Sequence, residues 1–150
     1  MRRGRLVAVA VILTACGASL PEGDEDRVRE LRSLVQEACD QYAFGMNTLM
    51  DPQISMFAAS DFVEAAETGD AAYDLMFQIR HSRNEAGYTD SGDLLQGFPA
   101  FGAFSRLADL LLGGPSEFVG YEVLFAQAVA DADDACDSAF GVVEAAADTR

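Results

Sequence analysis

SEFVGYEVLFAQAVADADDACDSAFGVVEAAADTR, residues 116–150, carries apolar or small side chains at 118, 121, 125, 129, 132, 136, 140 and 143. Steps of three and four put these positions on one stripe of a helix, and the period of two that marks a half-buried strand is missing. The stretch therefore predicts a long amphipathic helix beginning at Ser116. Upstream, DLLQGFPAFGAFSRLADLLLGG (93–114) reads as a shorter helix that starts at Pro99, a residue suited to a first helical position, and stops at Gly113-Gly114-Pro115. Before it, residues 53–83 hold one register through Ile54, Ala58, Phe62, Ala65, Gly69, Tyr73, Met76 and Ile79. The stripe crosses Gly69 without slipping, which favours one helix over two. Residues 24–50 repeat the pattern at 28, 31, 35, 39, 42, 46 and 49, with Asp24, Glu25 and Asp26 in the first turn, where carboxylates meet the positive end of the helix dipole. Asp51-Pro52 supplies a stop and a restart, with Asp51 as N-cap of the second helix.

Composition points the same way. Half of the 150 residues are apolar, and Ala, Leu and Phe dominate over the β-branched types that suit pleated strands. Four amphipathic helices with short joints predict an all-α, four-helix up-down-up-down bundle in which the first and last helices are antiparallel neighbours. There is no tryptophan and no lysine, so Schiff-base and P-loop chemistry are excluded. A net charge of −15 repels phosphate backbones and anionic lipid alike, which argues against nucleic acid as a partner.

The N-terminus has a different grammar. MRRGR is followed by LVAVAVILTA, ten uncharged residues, about half of what a bilayer-spanning helix needs. The pattern is that of a signal peptide, basic then apolar. Its end resembles a bacterial lipobox, with Leu13 at the aliphatic position, Thr14 and Ala15 at the small positions and Cys16 as the cysteine. That resemblance implies cleavage between Ala15 and Cys16, a diacylglyceryl group on the Cys16 sulfur, and often a further acyl chain such as palmitate on the new amine. Two or more chains anchor stably, at about 0.8 kcal/mol per buried methylene. The expected organisation is a removed leader (1–15), a lipidated tether (16–23) and a helical domain (24–150), the last on the extracytoplasmic face of a cell membrane. Loss of the leader's three arginines takes the net charge to −18.

Cys39 and Cys136 fall on the stripes of the first and last helices. In an oxidising compartment an antiparallel pairing predicts a disulfide between them, the alternative being two separate buried thiols. Their surroundings, ACDQYAFG and ACDSAFG, are alike, but the likeness fades on both sides, so no duplication is inferred.

Three constellations bear on chemistry. Phe98, Phe101 and Phe104 recur every third residue beside Gly97 and Gly102, and either pack in the core or line an apolar ligand slot or partner patch. Met46, Met50, Met56 and Met76 with His81, the only histidine, carry the alternative of a metal or cofactor carrier, but Met is also ordinary core filling. The aspartates of DADDACD, with Asp90 and Asp93 of TDSGD, are acidic enough to suggest a cation, but they lack the EF-hand's glycine and glutamate. We therefore expect no metal site and no cofactor. No hydrolase elbow, metalloprotease, nucleotide-loop or dithiol motif is present, which argues against an enzyme. The expectation is a lipid-anchored binding or scaffold module for an envelope protein or an apolar ligand. Six arginines, 27, 29, 32, 80, 83 and 150, should gather at the tethered end among local carboxylates.

Overall fold

The computed structural model describes residues 19–89 and 95–148. They form four long helices and, among the described residues, no strand: α1 (Asp24–Met50), α2 (Ala58–Glu85), α3 (Gly102–Gly113) and α4 (Tyr121–Asp148). Packing runs α1 on α2, α2 on α3, α3 on α4 and α4 back on α1, each pair antiparallel. This is the predicted up-down-up-down bundle.

α1 spans the predicted residues. Its end is dictated by Pro52, which forces Asp51 out of the helical region to φ −94°, ψ 112°. The predicted start of α2 at Pro52 is corrected. The Asp51 carboxylate accepts the Gln53 N–H at 2.9 Å and closes a turn, a short 3₁₀ segment follows at Ser55–Phe57, and α2 proper starts at Ala58. α2 then crosses Gly69 unbroken, because a side chain from another element fills the space a Cβ would take: the Phe101 Cβ would lie only 2.6 Å away.

Two further starts are corrected. Helix α3 begins at Gly102 and not at Pro99; Phe98–Ala100 stay non-helical after a turn in which the Phe98 N–H bonds the Leu95 carbonyl at 3.1 Å. Helix α4 begins at Tyr121 and not at Ser116, because Gly114 and Gly120 both take left-handed φ of 72°, which delimits a turn between them.

The face of α4 buried most deeply is Ala128, Ala132, Ala135, Ala139, Val143 and Ala146, whereas Phe125, Val129, Cys136 and Phe140 of the predicted stripe are half-buried. Alanines let α4 approach α1 closely. The closeness is visible at Cys39 and Cys136, whose Cα atoms are 6.0 Å apart and whose sulfurs are bonded as the predicted disulfide. Leu31, Val35, Phe62, Ile79, Phe104 and Leu107 fill the centre from the other three helices.

Candidate interaction surface

The phenylalanine trio belongs to the core. Phe98, Phe101 and Phe104 are 5%, 2% and 0% exposed, so their reading as an open ligand slot or partner patch is corrected. Phe101 and Phe104 stack at 5.3 Å, Phe98 meets Phe101 edge-on at 5.8 Å, and Tyr42 of α1 stacks on Phe104 at 5.2 Å. Gly69 admits Phe101 against the backbone of α2, and that close approach seals the cluster.

The methionines and His81 are not brought together. Met76 is buried, Met46 is packed against the core, and Met50 and Met56 stand exposed beside the α1–α2 joint. His81 sits in the last turn of α2 near Glu85, at the other end of a 28-residue helix that runs about 42 Å. Among the described residues no group of three or more His, Cys, Asp or Glu side chains converges as a metal site would require. Asp131 is engaged by Arg106 and Gln127, both at 2.8 Å, which together hold its carboxyl below the usual carboxylate range. Asp133 accepts the Tyr42 hydroxyl at 2.9 Å; burial first, and this partner second, push the phenol well above its ordinary value. Asp90 and Asp93 lie outside the described residues, as do Ala15, Cys16 and Arg150.

The two ends of the bundle differ in kind. At one end the start of α1 meets the ends of α2 and α4, and Arg27, Arg29, Arg32 and Arg83 of the expected group gather there among carboxylates. Arg29 pairs with Asp26 and Glu25, Arg32 with Glu144, and Arg27 donates to Ser82 at 3.1 Å. Beneath them is a clamp that sequence reading missed. Arg83, 1% exposed, donates from Nε and from one terminal nitrogen to the two oxygens of Asp24, at 2.8 and 2.7 Å, and from that same nitrogen to the Ala146 carbonyl at 3.0 Å. The signal was present: 76, 79, 83 and 24, 28, 31 continue the buried stripes of α2 and α1, so each ends on a charged residue.

The α1–α2 and α3–α4 joints share the opposite, distal end. Among the described residues, eight of the twelve large apolar side chains that stand exposed are at this end: Ile54, Met56, Phe57 and Val119 in the joints, and Met50, Leu112, Val123 and Leu124 on the adjoining helix turns. Val119 is fully exposed. Two more, Phe44 and Val63, stand on the neighbouring turns of α1 and α2. An open groove between α1 and α2 continues from there, lined by Phe44, Asp40, Gln41, Asp61 and Glu64 and, toward the start of α1, by Arg29 and Arg32. Isolated exposed apolar residues are ordinary, but a concentration at one end of a small domain marks an interaction surface.

No helix among the described residues is long and apolar enough to cross a membrane. Set against known proteins, the chain matches no family model, no curated protein and no solved structure.

Proposed function

We propose that this protein is a lipid-anchored module of a bacterial cell envelope, held on the extracytoplasmic face through Cys16, that docks an envelope partner with the distal end of its bundle. The observation that carries docking is the group of exposed apolar side chains on the α1–α2 and α3–α4 joints and the helix turns that adjoin them. Burying them against a partner returns roughly 25 cal/mol per Å² of apolar surface removed from water. The tether enters at the start of α1, so in this reading anchor and docking surface point in opposite directions. With the phenylalanine trio in the core, a macromolecular partner is favoured over a small apolar ligand. The reading assigns no catalytic step and no cofactor.

Site-specific photo-crosslinking in the native host tests it. A crosslinker at Val119 should give discrete protein adducts in the membrane fraction and one at Glu30, near the tethered end, should not. Adducts independent of position would refute directional docking. Cys16→Ser should release the protein from membranes or leave it misprocessed, and unchanged retention would refute the lipid anchor.

A further inference from the structure

We infer that the distal end receives a cationic amphipathic segment of its partner, a helix with basic residues on one face and apolar residues on the other. The inference rests on the docking reading above and adds the chemistry of what docks. Beside the exposed Met56, Phe57, Val119 and Val123, the joints contribute two carboxylates, Asp51 and Glu117, and the first turns of α2 and α4 two more, Asp61 and Glu122. Cations are missing there. The chain has no basic residue from 33 to 79 or from 107 to 149; of the basic residues between these stretches, Arg80, His81 and Arg83 lie at the far end of α2, and Arg106, which borders Phe118 and Leu124, is engaged by Asp131. An apolar surface rimmed by one sign of charge selects partners of the opposite sign and rejects like-charged ones. A second copy of the chain would bring carboxylates against carboxylates, and anionic lipid would meet the same repulsion.

The test uses a labelled helical peptide of Leu and Lys, about 18 residues and so about 27 Å long, enough to cross the bundle end. Its controls are the same peptide with Glu for Lys and vesicles of phosphatidylcholine with and without phosphatidylglycerol. Binding to the purified Cys16→Ser protein is read by anisotropy, and vesicle association by flotation. The Leu/Lys peptide should bind, and the Leu/Glu peptide and both vesicles should not. Affinity should fall about tenfold in Val119→Ser/Val123→Ser and again in Asp51→Asn/Glu117→Gln/Glu122→Gln. The equally charged control Asp70→Asn/Asp74→Asn/Asp137→Asn, on exposed positions away from the distal end, should bind as the parent does. Circular dichroism should be unchanged throughout. Equal loss in the two charge variants would reduce the effect to net charge and overturn the inference, as would equal binding of both peptides, vesicle flotation, or self-association lost on Val119→Ser/Val123→Ser. Crosslinks from Val119 combined with indifference to peptide charge would overturn the chemistry alone; absence of crosslinks together with absence of peptide binding would overturn the docking reading with it.

Discussion

At Gly69 two effects oppose each other when alanine is introduced. Helix propensity favours alanine by about 1 kcal/mol in a helix interior. Against it, the new Cβ would sit 2.6 Å from the Phe101 Cβ, and neither atom can rotate away because both are set by backbone. Overpacking of this kind costs about 1–3 kcal/mol, so Gly69→Ala should lower the melting temperature. Gly141 is the counter-case: it is helical and exposed, and a Cβ there meets nothing within 4 Å. Gly141→Ala should stabilise by about 0.5–1 kcal/mol, and thermal melts of the two variants should move in opposite directions.

At the scale of elements, two links hold helices that are distant in sequence. The Cys39–Cys136 disulfide closes α1 onto α4 across a separation of 97 residues. In the chain-entropy account a loop of that length is worth up to about 4.7 kcal/mol, and loss of a native disulfide typically costs about 2–5 kcal/mol. Cys39→Ala/Cys136→Ala should therefore lower the urea midpoint strongly. The intact mass of the parent should rise by two hydrogens on reduction, and alkylation of both thiols without reductant would contradict the bond. The Arg83–Asp24 pair gathers α1, α2 and α4 at the other end. Truncating one partner of a buried pair strands a charge and costs about 3–5 kcal/mol, more than the pair itself returns over apolar residues. Asp24→Ala should thus destabilise more than Asp24→Leu/Arg83→Met, an ordering that denaturant titration reads directly.

For the molecule as a whole, charge and pH follow from where the groups sit. The Tyr42 phenol is raised by burial and by Asp133, so the unfolded chain gives up this proton first, near pH ~10. Its contribution to stability is complete below that pH and is lost as pH climbs through the folded value. Phenolate absorbance should consequently show one of the four tyrosines ionising only as helical dichroism is lost, and Tyr42→Phe should flatten that alkaline slope. Asp131 behaves in the opposite sense: its carboxyl, lowered first by Gln127 within α4 and then by Arg106 of α3, contributes stability above the unfolded carboxylate range, and the contribution fades as pH falls through the folded value. A net charge of −15 also repels itself, so moderate salt should raise the melting temperature.

The helices and their order were legible in the sequence, because a stripe at steps of three and four needs no knowledge of what covers it; Cys39 and Cys136 were left between a disulfide and two buried thiols until the packing of α4 on α1 joined them. Near the joints that logic weakens. Pro52, Pro99 and Ser116 are all acceptable helix starters, and the starts fell later at Ala58, Gly102 and Tyr121, where turns closed by Asp51, Leu95 and the two left-handed glycines ended. Alanine carries too weak an apolar signal to reveal that α4 turns Ala128, Ala132 and Ala139 inward and leaves Phe125 and Phe140 at the margin. The candidate surface was the least legible part. Phe98, Phe101 and Phe104 have the same spacing whether buried or exposed, and burial was decided by α2, which offers Gly69 to Phe101. Met56, Val119 and Val123 lie in or beside joints, where no periodicity assigns a face. Only packing the four helices brought those joints to one end, because burial and juxtaposition depend on what the rest of the chain places alongside.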